Sequence, residues 1–264
     1  MIPLVMGVLN VTPDSFSDGG RWVDPGAAVA HGLAMVAEGA DVVDVGGEST
    51  RPWAEPVEEA EEKRRVLTVI EALAPHVRVS VDTRKAGVAE AGINAGATIV
   101  NDVSASLWPV AAAGGVGWVA MHMQGDPLTM QADPRYEDVV REVLDFVVAR
   151  ADVAARAGVE ELWIDPGFGF GKTAGDNLSL LRHLGAFVRS GFPVLTGTSR
   201  KSFLGQLGPS GREREVGAPV HDRLEGSLAT AAWAMAQGAA MVRVHDVRPT
   251  VQLARLVGTE ARAA

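Results

Sequence analysis

The chain has 264 residues, of which 47% are hydrophobic, and this length suits either one large α/β domain or two small ones. The formal net charge of −9 argues against nonspecific binding to nucleic acids or membrane surfaces. The absence of cysteine excludes disulfides and thiolate metal sites, and it favours a cytoplasmic location. No apolar run approaches the ~20 residues that cross a bilayer, so we expect no membrane span.

Eight short apolar runs recur along the chain, and each is followed by a segment with helical periodicity. The runs are nearly continuous in Val, Ile and Leu rather than alternating, which is typical of parallel strands that are buried on both faces. Strands are therefore predicted at 4–9, 41–45, 78–81, 98–103, 117–121, 162–164, 193–196 and 240–244.

The segments between these runs have helix-start signals and apolar stripes. Helices are predicted over 24–38, 57–74, 86–95, 108–113, 136–157, 176–189, 222–237 and 249–257. Eight uninterrupted βα units predict an α/β fold, a single (β/α)8 TIM barrel domain over residues 1–264. A doubly wound sheet is the alternative, but it usually has fewer units. The segment 205–219, which is rich in Gly, Pro and charge, is predicted to be a mobile loop.

Polar residues close every strand run. In a barrel, the carboxyl ends of the parallel strands meet at one face, and the active site lies there. We therefore expect a shared rim of polar residues, consisting of Asn10, 48–51, 82–84, Asn101, Asp102, His122, Asp165, 199–201, Arg243 and His245.

The rim divides into two chemical groups. Asp82, Asn101 and Asp165 carry carboxylate and amide groups, which can pair with adjacent N–H donors of a flat heterocycle. The second group follows strands seven and eight, where barrels commonly bind phosphate. It consists of Lys201, Arg243 and His245. The rim thus predicts a ligand with a hydrogen-bonding ring at one end and a phosphate at the other.

A magnesium ion is compatible with such a ligand, because Mg²⁺ bound to phosphate needs few protein ligands. Asn10 could supply one oxygen. No two histidines have the spacing of a zinc site.

The segment LWIDPGFGFGK, residues 162–172, is an apolar strand that leads into a glycine-rich loop. It is not a Walker A loop, because only three residues separate Gly167 from Gly171 where four are required. The dinucleotide fingerprint also fails, because Lys172 stands where glycine is required. Ligand recognition is therefore predicted for Asp165, and no role is predicted for Lys172.

Ordered motifs extend over essentially the full length of the chain. They are MGVLNVTPDSFSDGG (6–20), DVGGESTRP (44–52), SVDTR (80–84), VND (100–102), MHMQG (121–125), DPGFGFGK (165–172), SRKSF (199–203) and RVH (243–245). Any one of them alone would be weak evidence. Together they resemble the dihydropteroate synthase family, the pterin-binding barrels of folate biosynthesis.

The resemblance implies a (β/α)8 fold and the condensation of 6-hydroxymethyl-7,8-dihydropterin diphosphate with 4-aminobenzoate, which gives 7,8-dihydropteroate and diphosphate. It implies that the pterin diphosphate is bound by Thr50, Asp82, Asn101, Met121, Asp165, Gly197, Lys201, Arg243 and His245. It implies that the aminobenzoate is bound by Thr50, Arg51, Pro52, Phe170, Lys201 and Ser202. The implied catalytic residues are Lys201, Asp82 and Asp165.

The resemblance further implies a Mg²⁺ cofactor with Asn10 as its ligand, a homodimer, and competition by sulfonamides for the aminobenzoate site. We expect an SN1-like substitution in which the aromatic amine traps a pterin-stabilised cation, so no protein nucleophile is required.

Trp53 stands where the family more often has glycine, and it could change the affinity for aminobenzoate or sulfonamides in either direction.

Two other functions are considered. A methyltetrahydrofolate-binding methyltransferase domain would share the ring-binding acids, but it has no need for the diphosphate-binding group around Lys201. The second alternative is a non-catalytic homologue that binds a pterin, since a fold by itself does not fix a function.

Overall fold

The fold is an eight-stranded parallel barrel surrounded by helices. The computed structural model describes residues 2–12, 24–50, 54–206 and 218–263. The strands are β1 (Leu4–Asn10), β2 (Val42–Gly46), β3 (Arg78–Asp82), β4 (Ile99–Asp102), β5 (Gly117–Met121), β6 (Leu162–Asp165), β7 (Leu195–Thr196) and β8 (Met241–Val244). The helices are α1 (Pro25–Glu38), α2 (Glu59–Leu73), α3 (Ala86–Asn94), α4 (Trp108–Gly114), α5 (Val139–Arg156), α6 (Ala174–Arg182), α7 (Leu184–Val188), α8 (Ser202–Gln206), α9 (Leu224–Ala236) and α10 (Val247–Ala263).

The strand order shows that the sheet closes on itself. Hydrogen-bonded neighbours run β6-β5-β4-β3-β2-β1-β8-β7, and every pair is parallel. An isolated parallel bridge between Ile164 and Val194 joins β6 to the residues just before β7. The predicted (β/α)8 barrel is thereby confirmed, whereas a single domain spanning residues 1–264 stays a prediction.

Several predicted elements differ from the structure, among them the last helix, which was predicted over 249–257 and spans Val247–Ala263. The helix predicted over 176–189 is two helices, α6 and α7. The first begins early because Thr173 and Asp176 form a reciprocal capping box, and it ends at Arg182 because His183 leaves the helical conformation. The prediction of a loop over 205–219 is also wrong at its start, because Gly205 lies in α8. Residues 207–217 lie outside the described part of the chain.

The alternation of side chains along each strand separates two cores. Outward-facing residues such as Val43, Val45, Val79 and Val81 pack beneath the helices. The barrel interior is filled by Met6, Val42, Ile99, Val119, Trp163, Leu195 and Met241. Because the alternation has a period of two, the next inward positions include Asp44, Asn101, Met121, Asp165, Gly197 and Arg243. An apolar floor therefore lies under a polar mouth. Among the described residues, no helix has the length and apolarity needed to cross a membrane.

Asp102 was predicted to belong to the polar rim, but this prediction is wrong, because the residue follows Asn101 and therefore faces the opposite side. Its Oδ1 accepts a hydrogen bond from the backbone N–H of Ser104 at 2.8 Å. Its Oδ2 accepts from the N–H groups of Ser106 and Leu107 at 2.7 and 2.6 Å, and from Trp118 Nε1 at 3.2 Å. Asp102 thus holds the turn between β4 and α4.

We predict that Asp102→Ala lowers the free energy of unfolding by about 3 kcal/mol, because it leaves several donors without an acceptor. Urea unfolding followed by circular dichroism measures this loss. The matched control is Asp133→Ala, which removes an aspartate that is 66% exposed and pairs with exposed Arg135. Equal midpoints for the two variants would contradict the structural role of Asp102.

Candidate active site

A buried ionic bridge crosses the mouth of the barrel. Arg243 on β8 donates from Nε to Asp44 Oδ2 at 2.6 Å and from Nη2 to Asp82 Oδ2 at 2.7 Å. Asn101 on β4 donates from Nδ2 to the same Asp44 oxygen at 3.0 Å. Four strands therefore contribute to one network. Asp44 was not predicted as a site residue, although its position as the only charged residue in the apolar strand β2 was a usable signal.

Charge compensation sets the protonation states within this bridge. Burial raises the pKa of Asp82 to about 7, repulsion from Asp44 adds to the rise, and Arg243 and Lys201 oppose it. Burial would lower the pKa of Arg243, but Asp44 and Asp82 raise it above its usual range. Arg243 therefore stays cationic, and the sequence-based expectation that it contacts diphosphate stays a prediction.

Asp165 lies at the end of β6, and its Oδ1 accepts a hydrogen bond from the backbone N–H of Gly167 at 2.8 Å. Burial raises the pKa of this carboxyl, whereas the Gly167 N–H, Lys201 and Arg243 oppose the rise. Lys201 thus acts electrostatically on both Asp82 and Asp165. The two predicted pterin carboxylates and the predicted phosphate cations consequently share one mouth.

Lys201 lies over the ring of Phe170, with Nζ 3.9 Å from the ring centroid. This is a cation–π contact between the β7 loop and the glycine-rich loop. Ser202 follows as the first residue of α8 and is exposed. Lys201, Phe170 and Ser202, all predicted to bind aminobenzoate, are therefore close together in the structure.

The ends of β7 and β8 are joined by hydrogen bonds. Ser199 Oγ lies 3.1 Å from His245 Nδ1 and also accepts from the His245 backbone N–H at 3.1 Å. Arg200 does not join the mouth, because its guanidinium makes a two-point contact with Asp246 at 3.1 and 2.6 Å. His245 is thus fixed against Ser199, and its predicted contact with phosphate stays a prediction.

Several predicted rim residues form a second network outside the barrel. Glu48 accepts from Arg84 Nε at 2.8 Å and from Lys85 Nζ at 2.5 Å. Lys85 also contacts Glu62, which accepts a hydrogen bond from Thr83 Oγ1 at 2.7 Å. The prediction that Glu48, Thr83 and Arg84 line the mouth is wrong. They instead connect the loops that follow β2 and β3.

His122 also faces away from the mouth, because it follows inward-facing Met121 on β5. Its ring makes an edge contact with Phe146 at 5.0 Å between centroids, and its Nδ1 lies 2.9 Å from Lys172 Nζ. Burial, together with the nearby Lys172 cation, lowers the pKa of His122 to about 3. The imidazole is therefore neutral and serves as a hydrogen-bond acceptor.

The remaining predicted site residues are distributed as follows. Asn10 ends β1 and Thr50 follows β2, and both are half-buried. A Cβ at Gly197 would lie 3.8 Å from the Arg243 side chain, which places this glycine beside the ionic bridge. Arg51 and Pro52, and also Trp53, lie outside the described residues. Within the described ranges, no group of three or more His, Asp and Glu side chains is arranged to hold a metal ion.

Comparisons with known proteins identify the family. The profile of the family described as pterin binding enzyme matches residues 6–245. The dihydropteroate synthase of Escherichia coli (strain K12) is 46% identical over 266 residues, which cover 97% of this chain and 90% of the relative. This chain belongs to the dihydropteroate synthase family.

Two solved members of the family have the same fold. The Yersinia pestis dihydropteroate synthase in complex with a sulfonamide drug superposes with a TM-score of 0.89 at 42% identity, over 99% of this chain and 95% of the other. The Xanthomonas albilineans enzyme with 4-aminobenzoic acid gives a TM-score of 0.88 at 46% identity, over 99% and 94%. As a member of this family, the chain is a transferase that condenses a dihydropterin diphosphate with 4-aminobenzoate.

The glycine-rich loop gives a prediction with a matched control. Gly167 has φ +68°, and a Cβ there would lie 1.9 Å from the carbonyl oxygen of His122. Gly191 has φ +92°, but a Cβ at this position would meet nothing within 4 Å. We predict that Gly191→Ala costs roughly 1–2 kcal/mol of stability and leaves dihydropteroate formation intact.

Gly167→Ala has the same backbone cost plus a steric clash that moves the loop away from β5. We predict a loss of turnover of at least about tenfold, because small displacements of positioning groups reduce rates strongly. Steady-state kinetics and thermal unfolding of both variants give the measurement. Similar turnover for the two variants would show that the clash does not matter.

Proposed function

We propose that the mouth of this barrel forms 7,8-dihydropteroate, with the pterin bound between Asp82, Asn101 and Asp165. The observation that carries the proposal is the convergence of Asp82 on β3 and Asp165 on β6 with Lys201 and Arg243 in one electrostatically coupled mouth. Carboxylates accept paired N–H donors, and a pterin ring presents such donors. Met121, which is buried at the end of β5, would pack beneath the ring.

The diphosphate would lie against the cationic side of the mouth. In the proposal, Lys201, Arg243 and His245 contact its oxygens, and Gly197 leaves room beside Arg243. Fixed cations stabilise the charge that develops on a leaving oxygen.

Asn10 supplies a single hard oxygen at the end of β1, which fits Mg²⁺ because this ion takes its other ligands from phosphate and water. Bound there, Mg²⁺ would supply further neutralisation of the leaving group. No other protein ligand is proposed.

The reaction is a substitution at the pterin methylene carbon. The bond between this carbon and the diphosphate oxygen breaks, and the electron pair leaves with the diphosphate. Asp82 and Asp165 favour the positive charge that the pterin then carries, and Lys201 favours the departing anion. The amine nitrogen of aminobenzoate donates its lone pair to the carbon and then loses a proton. No step requires a covalent bond to the protein.

The second substrate would bind next to Phe170 and Lys201. The ring of Phe170 offers an apolar wall, Lys201 offers a cation for the carboxylate, and Ser202 lies at the adjacent helix start. Thr50, together with Arg51 and Pro52 of the undescribed segment, completes the proposed aminobenzoate site. The sulfonamide and 4-aminobenzoic acid complexes of the two solved relatives support a site of this kind.

A homodimer is also proposed. Helix α9 packs buried Ala231 and Ala234 on the barrel but leaves Trp233 47% exposed, which gives an apolar surface for a second copy. A sedimentation mass of one chain at micromolar concentration would exclude it. A cytoplasmic location remains a prediction from the cysteine-free composition alone.

The test of function is a diphosphate-release assay with both substrates, with and without Mg²⁺. We expect release that depends on aminobenzoate and that falls by at least about a hundredfold in Lys201→Ala, since this residue would contact both the aminobenzoate and the diphosphate. No release by the wild type under any condition would favour a non-catalytic pterin-binding protein. Unchanged release by Lys201→Ala would remove this residue from the site.

Asp165→Asn separates the two substrates. We predict that it weakens pterin binding by roughly tenfold to a hundredfold, because a buried charged acceptor is lost. Aminobenzoate binding, which depends on the other side of the loop, should change little. Calorimetric titrations with each ligand measure the two affinities, and equal losses for both would count against a pterin role for Asp165.

A further inference from the structure

Lys172 ends the glycine-rich loop and is buried, with 3% of its surface exposed. Its Nζ lies 2.9 Å from the Gly167 carbonyl oxygen, 3.0 Å from that of Phe170 and 2.9 Å from His122 Nδ1. The His122 carbonyl oxygen is also within reach at 3.3 Å. The three carbonyl oxygens are acceptors, and the neutral His122 ring accepts at Nδ1 in one of its tautomers, so the arrangement suits an ammonium group, which only donates.

The loop connects Lys172 to residues of both proposed substrate sites. The Gly167 carbonyl oxygen accepts a hydrogen bond from Lys172 Nζ, and the backbone N–H of Gly167 donates one to Asp165 Oδ1 at 2.8 Å. The Phe170 carbonyl is held by the same ammonium, and the Phe170 ring lies 3.9 Å from Lys201 Nζ. One buried side chain therefore holds the backbone next to Asp165 and Phe170, which belong to the proposed pterin and aminobenzoate sites.

Other side chains hold the middle and the end of the loop. Gly169 is bound through its N–H by Asn177 and through its carbonyl by Gln131, both at 2.7 Å. Tyr136 donates to the Gly171 carbonyl, also at 2.7 Å. These contacts stabilise the same loop but reach neither Gly167 nor Phe170, so they provide a comparison for Lys172.

We propose that Lys172 is a positioning residue of this reaction, which orients the Asp165 carboxylate and the Phe170 ring by holding the two ends of the loop between them. The proposal rests on the proposed function. Lys172 touches neither substrate in this scheme and transfers no proton. Its contribution is to fix the positions of the groups that do touch the substrates.

The charge of Lys172 is adjustable near neutrality. Burial lowers its pKa to about 7; Asp165 opposes this, Lys201 lowers it further, and Asp176 opposes it. The groups that act on this ammonium from the surrounding elements are His122, Asp165, Asp176 and Lys201, and Tyr136 lies behind the His122 ring. The ammonium form of Lys172 is present below this pKa, so its hydrogen bonds to the loop are strongest at low pH. They weaken as the pH rises through the pKa.

The test compares wild type with Lys172→Met, which keeps the aliphatic volume and removes the charge, and with Tyr136→Phe, which loosens the same loop without touching a charge. The kcat/KM for the dihydropterin diphosphate, the thermal midpoint, and the Kd of 7,8-dihydropteroate from about pH 6 to 9 are measured for each. The product is the chosen ligand because it carries no phosphate that titrates near neutrality. Asp82 titrates in the same range in all three proteins, so the difference between variants isolates Lys172.

We expect Lys172→Met to lower kcat/KM by roughly tenfold or more. In the wild type, part of the affinity for 7,8-dihydropteroate should depend on pH and should decrease as the pH rises through the Lys172 pKa. This component should be missing from Lys172→Met and retained by Tyr136→Phe. If Lys172→Met does not fold, Lys172→Gln, which keeps a neutral donor, takes its place.

Two results would overturn the inference while leaving the proposed function intact. One is an active wild type with equal kcat/KM and equal pH profiles in wild type and Lys172→Met. The other is a loss in Lys172→Met that matches the loss in Tyr136→Phe at equal thermal destabilisation, with the pH component unchanged. An inactive wild type would instead count against the proposed function itself.

Discussion

The site depends on one constraint, which is that a closed parallel barrel turns alternate residues of every strand into a shared interior. A charge placed inward near a strand end must find an opposite charge there, because an unpaired buried ion is costly. Arg243 satisfies this requirement for Asp44 and Asp82 together, from a strand that is distant from both in sequence. The bridge is therefore a consequence of barrel closure, and it lies in the mouth above the apolar floor.

Outside the barrel, charged networks hold the loops that carry the remaining site residues. Burial would lower the pKa of Lys85, but Glu48 and Glu62 raise it above its usual range, so the ammonium is retained between the loops after β2 and β3. Lys172 does the equivalent for the loop after β6, although there the partners are carbonyl oxygens instead of carboxylates. Burial lowers the pKa of Lys172, which has no adjacent carboxylate to offset it fully, whereas two carboxylates outweigh the smaller burial of Lys85. The barrel thus has charged groups at two depths, with the groups of the mouth inside and the loop-holding groups behind them.

This division explains which sequence-based predictions were right and which were wrong. The polar residue at each strand end was visible in the sequence, and so was the rim where those residues should meet. The direction of each side chain was harder to read, because neighbouring residues such as Asn101 and Asp102 face opposite sides of the sheet. A one-residue error in where a strand begins reverses the assignment, and the sequence does not mark strand starts to that accuracy.

The sequence by itself determined the eight βα units, the glycine-rich loop after β6 and the ordered motifs that carry the family resemblance, because these depend on local periodicity and on short segments. Only the tertiary structure decided that Asp44 belongs to the mouth, that His122 does not, and that Lys172 has a place in the loop. Each of those facts depends on contacts between residues far apart in the chain, such as Arg243 with Asp44 or Lys172 with His122. The residue types were visible in the sequence, but their partners depended on how the barrel closes.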